Sequence, residues 1–249
     1  MNWLNNLFSN PEGETPWWGI VLSILIIIVI AAAIAAVIFF IVKAVSKKNG
    51  NKEITSSQWK TRELVFGALC IAIAFVLSYL QFFKMPQGGS ITPASMLPIM
   101  IFAYVYGTPK GLIVGLAYGL LQMLQGLYIT PLQSPVLQII QIMMDYGFAF
   151  MVLALAGLFK KSLVAGIIAG GLGRLVISTV SGMLFFGMYA EGQSVFVYSF
   201  VYNLTYVGPE TVICLVVVLV PGIRKVIESF RRQNEKTLHG KSESQGSAA

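Results

Sequence analysis

The sequence predicts an all-α, polytopic membrane protein, and its composition is the main reason. Of its 249 residues, 56% are apolar and 11% are charged, whereas ordinary globular chains have about 45–50% apolar and about 25% charged residues. The mean hydropathy of +0.77 leaves too little charge for the exterior of a soluble fold. Because a transmembrane helix uses about 20 apolar residues, the apolar content is enough for roughly seven of them. Soluble enzymes, disulfide scaffolds and disordered regulators are therefore excluded.

The first apolar run, at 17–42, predicts one extra N-terminal transmembrane helix. Only Gly19 and Ser23 interrupt it, and it is long enough to cross a bilayer. No Lys or Arg precedes it, whereas lysines follow it closely; a secretory signal peptide has the reverse order of charges. We interpret the run as a retained helix with its N-terminus outside the cell. Together with a polar linker it forms a first region, 1–58.

Six further apolar segments predict a helical membrane domain at 59–225. If seven spans cross the membrane in alternating directions, starting from an N-terminus outside the cell, every Lys and Arg except Lys84 and Arg174 lies at the cytoplasmic side. Such an asymmetry supports both the span count and an orientation with a cytoplasmic C-terminus. The six segments are 63–83, 92–106, 111–127, 135–159, 162–188 and 195–220.

The remaining residues, 226–249, form a basic tail that begins as an amphipathic stretch. We expect a solvated end that touches anionic lipid headgroups, and the alternative is binding to a partner. The cytoplasmic edges of the spans account for most of the net charge of +7, so no nucleic-acid partner is expected.

Three ionisable residues lie inside the predicted spans, away from their ends: Asp145, Arg174 and Glu210. A charge within the membrane is costly and is by default a functional hypothesis. A structural ion pair, for example between Arg174 and Glu210, is the alternative explanation. Two acids and one base leave one formal negative charge, which a cationic ligand would neutralise.

Polar side chains follow one face of the fourth of these segments. Gln138, Gln141 and Asp145 recur at helical spacing, and Ser134 continues the series. Lipid cannot satisfy these groups, so the face must border a polar cavity or another helix. With the nearby tyrosines it predicts an outward-opening pocket for a small aromatic or cationic solute, bound by charge, ring faces and amides. The aromatic and amide candidates on the sixth segment are Tyr198, Tyr202, Asn203 and Tyr206.

Small residues at every fourth position predict close helix packing. The third segment carries such a row at Gly111, Gly115 and Gly119. The first carries Ala68 and Ala72, which could serve internal packing or contact an external helix. Spacing alone favours internal packing for these two alanines.

Catalytic and cofactor chemistry is not predicted. The single histidine, His239, is in the polar tail, and Cys70 and Cys214 lie in separate apolar runs, so no metal site is indicated. No phosphate-binding loop of the GxxxxGK[ST] type occurs, so the chain does not hydrolyse ATP by that route. We therefore expect neither an enzyme nor a bound cofactor.

Several motifs follow one another in a recognisable order: KMPQGGSITPASMLPIM from residue 84, MMDYGFAF from 143, SGMLFFGMYAEG from 181 and VYSFVYNLTYVGPE from 197. In order and spacing they resemble the thiamine-specific S components, the substrate-binding membrane subunits of bacterial energy-coupling factor (ECF) transporters. The similarity covers about residues 62–225.

That resemblance implies a six-helix S-component bundle, to which the helix at 17–42 is an addition. Such a subunit binds thiamine with high affinity from outside the cell, in a pocket capped by the loop between its first two helices. It works in the bacterial cell membrane with a transmembrane coupling subunit and two cytoplasmic ATPase subunits, and it topples to deliver thiamine inward. By the resemblance, Ala68 and Ala72 contact the coupling subunit.

The resemblance also assigns the substrate-binding residues. Asp145 is the acidic ligand, at a position where some members carry glutamate. Tyr118 and Phe186 stand where relatives can carry tryptophan, Arg174 where a lysine can stand, and Ser178 where a histidine can. The polar face adds Gln141, and the nearby tyrosines add Tyr128. The full predicted set is Gly88, Gly89, Ser90, Tyr118, Tyr128, Gln141, Asp145, Tyr146, Arg174, Ser178, Phe186, Tyr198 and Asn203.

Two alternatives stay open. The departures at Arg174 and Ser178 leave room for a thiamine precursor or another vitamin as the ligand. A structural or assembly subunit that binds no solute is the other alternative, and the face around Asp145 argues against it because a scaffold gains nothing from a costly polar pocket.

Overall fold

A computed structural model describes residues 59–131 and 135–246, with side chains described as far as residue 236. The predicted helix at 17–42, its linker and Ser134 lie outside the described residues.

The described part of the chain is mainly helical and its only strands form one short hairpin, which confirms the predicted all-α class. The two strands pair antiparallel, with Phe83 opposite Ile91. In chain order the elements are α1 (Thr61–Tyr79), β1 (Phe83–Lys84), β2 (Ser90–Ile91), α2 (Leu97–Tyr106), α3 (Thr108–Gln122), α4 (Pro135–Leu158), α5 (Leu163–Phe185), α6 (Val195–Leu219) and α7 (Pro221–Gly246).

Each of the six predicted segments contains a helix, but the helices differ in length. Among the described residues, α1, α4, α5 and α6 are long and apolar enough to cross a membrane, which makes the chain a multi-pass membrane protein. Helices α2 and α3 are shorter and are joined directly at Gly107, whose φ of 94° lies in the left-handed region. Pro98 and Pro109 sit in their first turns, where no backbone N–H is needed.

The core lies around α2, and the membrane-facing surface lies on the outer helices. Ile99, Met100 and Phe102 of α2 have no exposed surface. By contrast, α1 exposes large apolar side chains such as Leu64 and Val65 along its outer side. In a multi-pass membrane protein such a continuous apolar surface is suited to lipid or to another membrane subunit.

Helix α4 departs from regular α-helical geometry at its centre, where residues Met143–Phe148 form a π-helical turn. The glycine row of α3 packs against this part of α4. A Cβ at Gly119 would collide with the carbonyl oxygen of Tyr146, and one at Gly115 would lie 2.6 Å from that of Phe150. The row therefore permits the close helix approach that its spacing predicts.

The end of the chain differs from the predicted solvated tail, because one face of α7 is packed on the bundle. Ile227 is buried, the Phe230 ring lies 5.3 Å from that of Phe66, and Asn234 Nδ2 donates to the Val105 carbonyl oxygen at 2.9 Å. The helix also begins at Pro221, five residues before the predicted start of the tail. Its apolar face is used against α1 and α2 rather than left to solvent.

Candidate substrate-binding site

A cavity of about 370 Å³ lies beside the hairpin, between the hairpin loop, the loop after α3 and helices α4, α5 and α6. This volume is in the range of small-molecule sites, about 300–1,000 Å³. The predicted residues that line it come from all of these elements. They are Gly88, Gly89, Ser90, Tyr128, Asp145, Tyr146, Arg174, Ser178, Phe186, Tyr198 and Asn203.

Asp145 presents its carboxylate to this cavity from the π-helical turn of α4. Such turns are frequent at functional sites, because the extra residue reorients a side chain within an otherwise regular helix. Ser181 and Gln141 lie beside the carboxylate. Among the described residues no Lys or Arg lies within 4 Å of it. The site therefore holds a carboxylate that is not neutralised by an ion pair.

Arg174 lines the cavity from α5 and is held from two sides. Its guanidinium carbon lies 4.5 Å from the centroid of the Phe150 ring, a cation–π contact. Its Nη1 lies 3.7 Å from Glu210 Oε2, so the structural ion pair that the sequence left open is present. Its buried Nε has no hydrogen-bond partner among the described residues.

Aromatic rings form part of the cavity wall. Tyr128 and Phe186 are stacked, with centroids 5.9 Å apart and an interplanar angle of 19°. The Tyr128 and Tyr189 hydroxyls are 2.9 Å apart. This hydrogen bond, together with partial burial, raises the pKa of Tyr128 to about 12, so the phenol is neutral at physiological pH. The wall therefore offers a flat, uncharged surface to a ring.

The hairpin loop is attached to α6 over one edge of the cavity. Gly88 and Gly89 have φ values of +90° and +87°, which only glycine adopts without strain. The Tyr202 hydroxyl accepts from the Gln87 backbone N–H at 2.9 Å and donates to the Gly88 carbonyl oxygen at 3.0 Å. A Cβ at Gly89 would lie 2.8 Å from the Tyr206 ring. The loop that the motif predicted as a cap thus lies against α6.

Two predicted site residues, Tyr118 and Gln141, do not line the cavity. Tyr118 is fully buried behind Phe150, with ring centroids 5.1 Å apart. Gln141 is also fully buried; its Oε1 accepts from the Thr130 hydroxyl at 2.6 Å. Gln141 nevertheless lies beside the Asp145 carboxylate, so it backs the site from behind the cavity wall.

Two other predicted residues line the cavity but use their polar atoms within the protein. The Tyr146 hydroxyl accepts from the Tyr128 N–H at 3.0 Å and donates to the Gly126 carbonyl oxygen at 2.9 Å. Asn203 Nδ2 donates to the carbonyl oxygens of Ser178 and Ser199. These side chains therefore hold the loop after α3 and the α5–α6 contact.

Sequence reasoning missed about half of the cavity wall. Lys84 stood out in the sequence as one of two basic residues outside the cytoplasmic side. The count of two acids and one base inside the predicted spans did not include it. Since Lys84 is exposed, its charge is partly screened by solvent. Tyr202 and Tyr206, which the sequence indicated as pocket candidates without assigning them to the substrate, also line the cavity. The missed residues are Gln81, Lys84, Met85, Pro86, Gln87, Gln122, Gln125, Gly126, Leu127, Phe150, Gly182 and Ser199.

Comparison with known proteins gives consistent results. Residues 64–228 match the family model described as "Thiamine transporter protein (Thia_YuaJ)". Over 169 residues the chain is 33% identical to the thiamine transporter ThiT of Bacillus subtilis (strain 168), which covers 60% of this chain and 84% of that protein. A solved structure of ThiT from Listeria monocytogenes is similar at a TM-score of 0.57 and 25% identity, covering 68% of this chain and 96% of that one.

Proposed function

The chain belongs to the thiamine transporter family, and on that premise we propose that it captures thiamine from outside the cell with high affinity, as the substrate-specific subunit of an ATP-driven ECF transporter. Its role is thiamine uptake across a membrane rather than catalysis.

The observation that carries the proposal is the unpaired carboxylate of Asp145 in the cavity. Thiamine is a monocation with a thiazolium ring and an aminopyrimidine ring. A carboxylate without an ion-pair partner attracts such a cation, and the low dielectric of a membrane protein strengthens the attraction. The stacked pair of Tyr128 and Phe186 offers a ring surface. Charge and ring recognition are thus available in one cavity.

We propose three roles for the predicted residues: contact with thiamine, cover and support. The residues that line the cavity and are proposed to contact thiamine are Tyr128, Asp145, Arg174, Ser178, Phe186 and Tyr198. The backbone of the hairpin loop is proposed to cover it. The residues proposed to support this contact layer are Tyr118, Gln141, Tyr146 and Asn203.

Coupling to the transport machinery is proposed to use α1. Ala68 and Ala72 are exposed, whereas Gly67, Cys70 and Ala74 face the core. This arrangement favours the external contact implied by the family resemblance over internal packing. A transmembrane coupling subunit would pack on this surface, and two cytoplasmic ATPase subunits would supply the energy. In the bacterial cell membrane we propose an outside N-terminus and a cytoplasmic C-terminus.

Isothermal titration of the purified chain against a ligand panel tests the proposal. We expect thiamine to bind more tightly than either a pyrimidine-only or a thiazole-only fragment, because the cavity addresses both rings. Tighter binding of a fragment than of thiamine would instead favour uptake of a thiamine precursor, the alternative suggested by Arg174 and Ser178. Absence of binding to every vitamin in the panel would favour a structural subunit.

A further inference from the structure

Three segments that are distant in the sequence meet at one buried carboxylate, that of Glu210 on α6. Its exposed fraction is 1%. Oε1 accepts hydrogen bonds from the Thr92 hydroxyl at 2.5 Å and from the Ser95 hydroxyl at 2.7 Å. Oε2 faces Arg174 Nη1 at 3.7 Å. One side chain therefore joins the segment after the hairpin to an arginine of the cavity.

Thr92 and Ser95 form the root of the hairpin, the short segment between β2 and α2. Both are buried, and Thr92 Oγ1 also accepts from the Ser95 backbone N–H at 3.3 Å. In a low-dielectric interior, hydroxyl groups that donate to a carboxylate form strong hydrogen bonds. Glu210 therefore holds the root of the hairpin against α6.

The same face of α6 also holds the rest of the hairpin loop. Tyr202 binds the backbone of its tip, Gly89 lies on the Tyr206 ring, and Glu210 binds its root. Residues 202, 206 and 210 are four apart, so they lie in one row along the helix. The position of the hairpin is consequently tied to the position of this row.

The guanidinium group of Arg174 does not use all of its hydrogen-bond donors. The distance of 3.7 Å to Glu210 is longer than a hydrogen bond, and Arg174 Nε is buried without a partner among the described residues. A buried donor without an acceptor is costly. A ligand acceptor that reached this guanidinium would change its contact with Glu210, and Glu210 also holds the hairpin root.

We infer that Glu210 is a positioning residue that couples the orientation of Arg174 in the cavity to closure of the hairpin over it. This inference concerns the same cavity as the proposed function. It depends on that function only in the experiment that uses thiamine as the ligand. Removing the charge of Glu210 releases both connections at once, because one carboxylate makes both.

The first experiment needs no ligand. A Gln87→Cys reporter in the hairpin is labelled with a membrane-impermeant maleimide; the chain's own Cys70 and Cys214 are buried. Adding Glu210→Gln should raise the labelling rate about tenfold, since a charged hydrogen-bond acceptor is lost at the hairpin root. The matched control is Glu63→Gln, another buried carboxylate in an ion pair, at the end of α1 remote from the hairpin. It should change the rate by less than about twofold, because distant sites act independently.

The second experiment measures thiamine binding rates by stopped flow. Glu210→Gln should speed dissociation about tenfold and change association much less, because a loosened hairpin no longer retains the ligand. The double variant Thr92→Val/Ser95→Ala releases the hairpin root and leaves the Arg174 contact in place. This double variant should show the same faster labelling of the hairpin cysteine. It also allows the inference to be tested if Glu210→Gln does not fold.

Two results would overturn the inference. One is equal labelling and dissociation rates in wild type, Glu210→Gln and Thr92→Val/Ser95→Ala. The other is an equal effect of Glu63→Gln, which would mean that either buried carboxylate only stabilises the bundle. If wild type fails to bind thiamine while the labelling rates still differ, the proposed function fails and the coupling by Glu210 stands.

Discussion

Two ion pairs in the bundle each join a buried glutamate to a base, but they differ in how many of their hydrogen-bonding atoms have partners. At one end of α1, Lys110 Nζ lies 2.6 Å from Glu63 Oε2, which also accepts from the Lys60 backbone N–H at 3.0 Å. Beside the cavity, Arg174 Nη1 lies 3.7 Å from Glu210 Oε2, and Arg174 Nε has no partner among the described residues.

We propose that the first pair stabilises the fold, whereas the second pair serves the cavity. The Glu63–Lys110 pair joins α1 to α3 at a short distance and is remote from the cavity. In the Arg174–Glu210 pair, the base lines the cavity, and its buried Nε has no hydrogen-bond partner among the described residues. A buried ionisable group is therefore informative through the donors and acceptors that it leaves unused. Asp145 is the extreme case, because it has no basic partner within 4 Å among the described residues.

The largest expected effect comes from breaking the complete pair. Lys110→Met leaves Glu63 buried without its counter-charge and should lower the free energy of unfolding by about 3 kcal/mol. Thermal unfolding in detergent measures this, and titration should show unchanged thiamine affinity. The double variant Glu63→Gln/Lys110→Met should recover most of the stability. A loss of affinity in that stable double variant would contradict the separation of the two pairs.

Removing the unpaired carboxylate should have the largest effect on affinity. Asp145→Asn should raise the Kd for thiamine about 100-fold, because a desolvated charge–charge attraction is replaced by a neutral contact. Asp145→Glu keeps the charge and serves as the control, with a smaller loss. Titration calorimetry gives both values, and an unchanged Kd in Asp145→Asn would remove Asp145 from the site.

A smaller effect should follow from altering the incomplete pair. Arg174→Lys keeps the positive charge but loses the planar guanidinium, its stacking on Phe150 and the Nε donor, so thiamine affinity should fall about tenfold. Arg231→Lys is the matched control, because Arg231 lies over the Tyr104 ring at 4.6 Å, away from the cavity. Equal affinities in both variants would mean that Arg174 only packs.

The smallest effect should come from the tip of the hairpin. Tyr202→Phe removes the hydroxyl that bonds Gln87 and Gly88, and should speed thiamine dissociation by about fivefold, equivalent to one ordinary hydrogen bond. Tyr104→Phe, which removes a hydroxyl near the Lys160 carbonyl, provides the control. Stopped-flow measurements would contradict the role of Tyr202 if the two variants dissociated alike.

The sequence identified residues that line the cavity more successfully than it identified the buried residues behind the cavity wall. Asp145, Arg174, Phe186 and Tyr198 were found because a charge, or an aromatic residue in a recognisable motif, marks them individually. Tyr118 and Gln141 were placed at the substrate, but both are buried behind the cavity wall. Polar spacing indicates a helix face, whereas the distance of a side chain from the cavity depends on which side chains pack in front of it.

The sequence by itself determined the membrane class and the approximate helix positions, because both depend on local composition. An apolar run long enough to span a bilayer must become a helix. The capping loop was implied by the resemblance, and its consecutive glycines accept the backbone angles of the hairpin.

Only the tertiary structure decided which carboxylate is paired, which alanines face outward and where α7 packs. A helix that is apolar on all sides has no pattern to set its rotation about its own axis. That rotation is set by the neighbouring helices and loops. Examples are the close packing of Gly119 against the Tyr146 backbone and the hydrogen bond from the Thr92 hydroxyl to Glu210. The side chains available to bind a ligand depend on those contacts.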